Sequence, residues 1–203
     1  MIVGPKYKIC KRLGASVFEK CQTQKFQLAE ARAPRRSRPK RGGGSDFGAQ
    51  LLEKQKARFT YGLSESQFAR YVHEAMEKRG ASSSTSLVAR LESRLDNVVY
   101  RAGLTKTRRA ARQLVSHGHI TINGRRMTIP SYCVSVGDVV AVRPESRESA
   151  LFLGRAESML EVKTLPWMQM EEGGLSMTIT AVPTVSDTEL PFNAAVIIQF
   201  YSR

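Results

Sequence analysis

The chain has 203 residues, of which 41% are hydrophobic, enough for one large domain or two small ones and too many for a chain that is disordered throughout. Its 32 Lys and Arg residues outnumber 18 Asp and Glu residues and give a net charge of +14. An excess of this size favours nucleic acid as a partner over a membrane surface or over charge that serves only solubility. No apolar run approaches the roughly 18 residues of a membrane-spanning helix, so none is expected.

The charge is unevenly distributed and divides the chain into four predicted parts. Residues 1–45 form a basic N-terminal extension, with 12 basic and 2 acidic side chains. Residues 46–85, with 6 and 5, are predicted as the first part of a helical body domain, and residues 86–145, with 10 and 4, as a second basic domain. Residues 146–203, with 4 and 7, are predicted as the C-terminal part of the body. Binding to a polyanion should therefore concentrate in the first and third parts.

The N-terminal extension contains a segment that cannot form a long helix. Residues 32–44 read RAPRRSRPKRGGG, and their prolines and glycine triplet interrupt any helical pattern. We predict an arm that is extended when free and ordered by contact with RNA. The first residues lack the apolar segment of a secretory signal and the Arg- and Ser-rich pattern of an organelle leader. The chain has three cysteines, Cys10, Cys21 and Cys133. A small, odd number argues against a disulfide framework and suits a reducing compartment.

Two helices are predicted in the first part of the body. The first begins at Ser45 or Asp46, both good N-caps, and stops at Gly62. The second begins at Ser64, follows an apolar stripe of period 3.6 and stops at Gly80. Residues 81–85 are predicted as a loop.

The second basic domain is predicted as two helices followed by a small antiparallel sheet. The first helix covers residues 86–101 and turns Arg90, Arg94, Asn97 and Arg101 to the face opposite its apolar side. The second begins at Thr105, its N-cap, and ends at Gly118. The pattern then changes to period 2, with a hairpin turn at Asn123-Gly124 and a buried strand at 139–142.

The last part has a less regular pattern. Residues 146–159 are predicted as a helix, residues 176–182 as a strand, and residues 194–201 as a second strand-like run.

Several segments of the second basic domain resemble the S4 RNA-binding domain. Residues 91–101 (LESRLDNVVYR) are similar to its first helix and residues 111–117 (ARQLVSH) to its second. Residues 122–125 (INGR) and 129–132 (IPSY) resemble its hairpin, and residues 137–140 (GDVV) its closing strand.

Three outer segments extend the resemblance to the ribosomal protein S4 family. Residues 52–62 (LEKQKARFTYG) resemble the body helix of that family, residues 196–203 (VIIQFYSR) its C-terminus, and residues 4–6 (GPK) its start. The resemblance implies an α+β fold with a helical body domain, an inserted S4 RNA-binding domain of two helices on a small antiparallel sheet, and an extended basic N-terminal arm.

The resemblance also implies a function. Members of the family are structural constituents of the small ribosomal subunit that bind its rRNA directly, nucleate assembly and lie near the path by which mRNA enters. Expected partners are small-subunit rRNA, ribosomal protein S5, other small-subunit proteins and mRNA, with no membrane and no small-molecule substrate. Residues 12–14 and 117–119 and Cys133 resemble the plastid-type branch. The expected location is the small subunit of a ribosome in an organelle, with a plastid ahead of a mitochondrion, or in a bacterial cytoplasm.

The candidate rRNA-binding residues are mainly basic, because A-form RNA is read through phosphates, 2′-hydroxyls and shape. The predicted set is Lys6, Lys8, Lys11, Arg12, Arg35, Arg36, Arg38, Lys40, Arg41, Lys54, Lys56, Arg58, Arg94, Lys106, Thr107, Arg108, Arg109, Arg112, Gln113, His117, Asn123, Arg125 and Arg126. Arg108 and Arg112, one helical turn apart, form its centre, and the bland alternative is a solvated helix face. Asn123 serves its turn first, and Asp96 is expected to orient an arginine or to cap a local network. Tyr100 and Tyr132 are expected either to stack on RNA or to pack in a half-buried site.

No metal or other cofactor is predicted. Some members of the family hold zinc with four N-terminal cysteines, whereas this chain has only Cys10 and Cys21 there and no histidine before His73. A partner protein that supplies the missing ligands is the alternative.

Two functions other than the ribosomal one are alternatives, an RNA-modifying enzyme and a free RNA-binding factor. The run Arg94-Leu95-Asp96 is similar to the catalytic aspartate motif of pseudouridine synthases, but no further catalytic domain of the needed size follows it. His117 and His119 lack a plausible nucleophile or acid partner, so they are expected to be structural or to face RNA, and no enzyme is expected. The remaining alternative is a free RNA-binding chaperone or ribosome-rescue factor with an S4 domain.

Overall fold

The structure is a computed structural model that describes residues 4–32, 45–78, 82–149, 152, 165–171, 173–185 and 189–202. In chain order its elements are α1 (Lys6–Leu13), a 3-10 turn (Glu19–Cys21), α2 (Gln24–Arg32), α3 (Asp46–Tyr61), α4 (Glu65–Glu77), α5 (Ser83–Glu92), α6 (Leu95–Arg101), α7 (Arg108–Ser116), β1 (Ile120–Ile122), β2 (Arg125–Met127), β3 (Val139–Val142), α8 (Pro144–Arg147), β4 (Met168–Met170), β5 (Ser176–Ile179) and α9 (Ala194–Tyr201). The predicted arm from residue 33 onward, the stop at Gly80 and most of the predicted helix at 146–159 lie outside the described residues.

The chain forms two compact units. Unit 1 comprises residues 1–87 and 186–203, and unit 2 comprises residues 88–185. Unit 2 is thus an insertion, in sequence, between two segments of a helical unit, which confirms the predicted α+β class with a domain inserted into a helical body.

Helix capping in unit 1 follows the sequence. The Ser45 hydroxyl accepts a hydrogen bond from the Gly48 N–H at 3.2 Å, and the Ser64 hydroxyl accepts one from the Gln67 N–H at 3.3 Å. Gly62 ends α3 in the left-handed region with φ 63°, which a residue with a Cβ adopts only with strain. The predicted starts of α3 and α4 are therefore confirmed.

The C-terminal run predicted as strand-like is helical, so that prediction was wrong. The Asn193 side chain caps α9 by accepting from the N–H groups of Ala195 at 2.9 Å and Val196 at 3.3 Å. The helix packs against α3 and α4, with Ile197 fully buried. A short apolar run of this kind fits a buried helix as well as a strand, and the cap and the packing decide between them.

A charged cluster ties α9 to α3 and α4 within unit 1. The Lys54 ammonium pairs with the Glu65 carboxylate and lies 4.9 Å from the centre of the Phe200 ring. Arg58 Nη1 lies 3.2 Å from Glu65 Oε2, and the Tyr201 hydroxyl donates to Glu65 Oε1 at 3.1 Å. Burial, followed by the charge and hydrogen bond of Glu65, raises the pKa of Tyr201. Burial of Glu65 raises its own pKa, but Lys54, Tyr201 and Arg58 together outweigh burial and leave that pKa below its usual 4.5.

Glu65→Gln should weaken unit 1 at neutral pH and flatten its response to acid. Because the folded pKa of Glu65 lies below the unfolded value of 4.5, its stabilisation is present above pH 4.5 and is lost as pH falls through the folded pKa. The carboxylate is 44% exposed, so we expect a loss of about 1 kcal/mol or less. Urea unfolding followed by circular dichroism across this range measures it, with Glu74→Gln as control. An unchanged acid response in Glu65→Gln would contradict the assignment.

The first residues of unit 1 form a separate apolar cluster. Its members are Cys10, Leu13, Val17, Phe18, Cys21 and Phe26. Both cysteines are buried thiols outside any disulfide of the described residues, and the Cys21 thiol lies 3.9 Å from the Lys6 carbonyl oxygen. Within the described ranges, no three His, Cys, Asp or Glu side chains come together as metal ligands. The expectation that the chain holds no zinc stays a prediction.

Unit 2 is built on an antiparallel sheet with the strand order β2-β1-β3-β5-β4. β1 pairs with β2 through Ile120↔Met127 and with β3 through Ile120↔Val142. The predicted hairpin and the strand at 139–142 are therefore confirmed, and the strand predicted at 176–182 is present as β5. β5 pairs with β3 through Val140↔Met177, so the compact unit continues past residue 145, where the sequence placed the domain boundary.

The helix predicted over 86–101 is two helices. α5 ends at Glu92, α6 begins at Leu95, and Arg94 between them forms an isolated antiparallel bridge with Cys133. The Leu95 N–H donates to the Tyr132 carbonyl oxygen at 2.8 Å, so the backbone leaves the helix to pair with another segment. The predicted loop at 81–85 is also wrong for residues 83–85, which begin α5.

No helix in the described part of the chain is both long enough and apolar enough to cross a membrane.

Candidate nucleic-acid interface

Helix α7 presents one apolar and one basic face. Thr107 caps it by accepting from the Ala110 N–H at 3.1 Å, whereas the predicted cap, Thr105, donates its hydroxyl hydrogen to the Thr107 carbonyl oxygen. Ala111 and Val115 on its inner face are fully buried. Because side chains one turn apart share a face, this packing turns the polar residues outward. The exposed residues on and next to this face include Lys106, Arg109 and Gln113.

A buried carboxylate holds two arginines. Asp96 Oδ2 accepts from Arg112 Nε at 3.0 Å and from Arg112 Nη2 at 2.8 Å. The same carboxylate accepts from Arg94 Nε at 3.0 Å and Arg94 Nη2 at 2.7 Å. Side-chain exposure is 5% for Asp96, 2% for Arg94 and 32% for Arg112. Only Arg112 therefore reaches the surface from this group.

A second buried acid, Glu92, holds Arg101 directly and is linked to Arg108 through Asn97. Glu92 is fully buried and accepts from Arg101 Nε at 3.0 Å and from the Asn97 side-chain amide at 2.7 Å. The amide oxygen of Asn97 then accepts from Arg108 Nε at 2.8 Å. The Arg108 guanidinium lies 4.3 Å from the centre of the Tyr100 ring, within the range of a cation–π contact. Both arginines at the centre of the predicted set are thus held by groups of α6.

The β1–β2 hairpin carries two further exposed arginines of unit 2. Asn123 adopts φ 51° and Gly124 φ 78° in its turn. The Asn123 side chain donates to Asp138 Oδ1 and accepts from the Val139 N–H, both at 2.9 Å, so it serves the turn as expected. Arg125 and Arg126 are exposed, and Arg126 Nη2 donates to the His117 carbonyl oxygen at 3.3 Å.

The structure sorts the predicted residues by exposure. Those exposed are Lys8, Lys11, Arg12, Lys106, Arg109, Gln113, His117, Asn123, Arg125 and Arg126. Those partly exposed are Lys6, Lys56, Arg58, Thr107, Arg108 and Arg112, and those buried are Lys54 and Arg94. Arg35, Arg36, Arg38, Lys40 and Arg41 lie outside the described residues. α7, the residues flanking it and the hairpin bring together the predicted residues of unit 2, and α1 carries Lys6 to Arg12.

Two members of the predicted set need correction. Lys54 is 7% exposed and Arg94 is 1% exposed, so neither presents its charge to a surface ligand. Lys54 is used in the ion pair with Glu65, and Arg94 in the pair with Asp96. The other two basic residues predicted on α3 are also paired within unit 1, Lys56 with Glu53 at 2.6 Å and Arg58 with Glu65.

The sequence interpretation missed the role of two residues. Glu92 was not singled out, and Asn97 was placed on the outer face of a continuous helix, whereas both are buried. The available indication was an acid within a basic domain, next to an apolar run. Asp96 was expected to orient an arginine, and it holds two. Both of its oxygens accept from guanidinium groups in a buried site, a structural arrangement rather than that of a catalytic acid.

Comparison with known proteins gives a consistent result along the whole chain. The "Ribosomal protein S4/S9 N-terminal domain" family model matches residues 2–92, and the "S4 domain" family model matches residues 93–140. The chain is 44% identical over 205 residues to the small ribosomal subunit protein uS4 of Roseiflexus castenholzii. It is 42% identical over 203 residues to that of Chloroflexus aurantiacus, and 41% over 211 residues to that of Thermus thermophilus. Each alignment covers 99% of this chain and 98% of the relative.

Proposed function

The chain belongs to the ribosomal protein S4 family, and on that premise we propose that it is a structural constituent of the small ribosomal subunit that binds small-subunit rRNA directly. The relatives named above are ribosomal proteins rather than enzymes, and all of them come from bacteria. A bacterial-type ribosome, in a bacterial cytoplasm or in an organelle, is the proposed location.

One observation carries the proposal of RNA binding: basic side chains lie on the surface of α7 and next to it, while the two acids of its arginine network are buried. Lys106 and Arg109 are exposed, whereas Glu92 and Asp96 are buried. Phosphates approaching α7 therefore meet guanidinium and ammonium groups before they meet either of these carboxylates. The grooves of A-form RNA favour such contacts with the backbone over the reading of base edges. The N-terminus of α7, which Thr107 caps, lies next to the same basic side chains and favours an anion.

We propose a second contact through the N-terminal extension. Lys8, Lys11 and Arg12 are exposed on and near the end of α1. The arm that follows adds Arg35, Arg36 and Arg38 in sequence. Two separated basic segments would let one protein join rRNA helices that are distant in sequence, which suits a protein that nucleates subunit assembly.

The finer details of the proposal rest on family membership. They are early binding during assembly, a neighbouring ribosomal protein S5, and a position near the path by which mRNA enters, with Lys40 and Arg41 in the segment of the sequence that matches the entry region. The division into an extension, a two-part body and an S4 domain completes the proposal. The alternative, a free RNA chaperone or rescue factor, is disfavoured because the relatives named above match over nearly the entire chain.

Sedimentation through a high-salt gradient distinguishes a constituent from a free factor. The protein, with an affinity tag, would be expressed in cells and the small subunits washed at increasing salt. We expect it to remain with the small subunit in a ratio close to one per particle. A general RNA-binding protein of similar charge, the control, should dissociate because its binding rests on exposed phosphate contacts. Complete release at the salt that removes the control would contradict the proposed function.

A further inference from the structure

The acids beneath α7 have a geometry that simple neutralisation does not require. Asp96 Oδ2 accepts from both Nε and Nη2 of Arg112, at 3.0 and 2.8 Å, and the carboxylate also accepts from Nε and Nη2 of the buried Arg94. Arg94, at 1% exposure, already balances the charge of Asp96. The bond to the partly exposed Arg112 therefore adds orientation rather than charge balance.

We infer that Asp96 is a positioning residue for RNA binding: it fixes the Arg112 guanidinium in the orientation that receives a phosphate. This inference rests on the proposed function. An arginine side chain that is free to rotate loses that freedom when it binds, and a carboxylate that already holds it removes much of this loss. The Arg112 side chain keeps 32% of its surface exposed while Asp96 holds it, so a phosphate can reach the guanidinium from solvent. Asn97 holds Arg108 by the same principle, at 2.8 Å.

The inference predicts a change opposite in sign to the one that charge alone predicts. Asp96→Asn removes a negative charge close to a bound polyanion, and electrostatics alone would therefore tighten binding. If Asp96 positions Arg112, the same substitution weakens binding, by about 3- to 10-fold for the freedom of one long side chain.

A double-mutant cycle tests the inference in the full-length protein. Affinity for the 5′ domain of small-subunit rRNA would be measured for wild type, Asp96→Asn, Arg112→Ala and the double variant. We expect Asp96→Asn to weaken binding in wild type and to have no further effect in the Arg112→Ala background, because its effect acts through that arginine. An equal loss in both backgrounds, or unchanged or tighter binding by Asp96→Asn, would overturn the inference.

A second pair of variants keeps the test valid if Asp96→Asn does not fold. Arg112→Lys and Arg109→Lys both keep the charge, but only Arg112 has its guanidinium held by Asp96, while Arg109 is exposed on the same helix. We expect a several-fold loss for Arg112→Lys and a clearly smaller loss for Arg109→Lys, because an exposed ammonium can still contact a phosphate where no fixed guanidinium orientation is needed. Equal effects would overturn the inference. If wild type itself fails to prefer this RNA, the proposed function fails, which is a separate outcome.

Discussion

Arg108→Ala/Arg112→Ala should weaken binding to small-subunit rRNA by about 100-fold, or about 2.7 kcal/mol, because it removes two oriented guanidinium groups from the centre of the interface. Asp96 keeps its pair with Arg94 in this variant, so the buried carboxylate is not left without a cation. The slope of log affinity against log salt should become shallower by about 1.5, since each phosphate contact contributes roughly 0.7 to 0.9. Filter binding or fluorescence anisotropy over a salt series measures both quantities.

The matched control removes two arginines outside the predicted interface. Arg70 lies on α4 and Arg147 ends α8, and both are exposed. Arg70→Ala/Arg147→Ala lowers the net charge equally and should change the affinity only slightly. If the two double variants lose the same affinity, binding depends on total charge and not on α7.

Met177→Ala should lower the free energy of unfolding of unit 2 by about 2 to 5 kcal/mol. Met177 is fully buried in β5 and lies opposite Val140 of β3 and Met170 of β4. Since a domain has a free energy of unfolding of about 5 to 15 kcal/mol, a loss of this size leaves unit 2 partly unfolded at moderate temperature. The result would show that residues near 177 stabilise the S4 domain and not the helical body alone.

The single tryptophan provides the measurement. Trp167 is 1% exposed in unit 2, so its fluorescence in a urea titration follows the unfolding of this unit. Val182→Ala, at a position 56% exposed, is the control and should change the free energy of unfolding by less than about 0.5 kcal/mol. If Met177→Ala leaves the tryptophan transition unchanged, β5 is not part of the cooperative unit that contains Trp167.

Elements marked by local chemistry were predictable from the sequence. Ser45 and Ser64 indicate helix starts because a serine hydroxyl can accept a hydrogen bond from an N–H group two or three residues ahead. The Asn123-Gly124 turn follows from the positive φ that a two-residue hairpin requires. Each of these features depends on residues close together in the chain.

Elements decided by distant residues were not predictable in this way. The apolar pattern from Leu87 to Val99 continues across Arg94, where backbone pairing with the distant segment around Cys133 replaces the helix. The sequence of β5 predicts a strand but does not indicate its neighbour, and the structure pairs it with β3. The run at 194–201 fits either structure until it is packed against α3.

The candidate site shows the same division. The basic face of α7 follows from its amphipathic pattern, and Lys106, Arg109 and Arg125 are exposed as predicted. The hydrogen bond between Asp96 and Arg112 joins residues 16 positions apart. Their pairing depends on the packing of α6 against α7, which the sequence pattern does not specify.

Binding of the purified wild-type protein to the 5′ domain of small-subunit rRNA, beside an unrelated RNA duplex of equal length, tests the central claim most directly. We expect tight binding to the 5′ domain when affinity is measured over a salt series. The preference over the duplex should persist as salt weakens the non-specific contacts. Equal affinity for the two RNAs at every salt concentration would contradict direct, selective recognition of rRNA and leave a basic protein that binds RNA through charge alone.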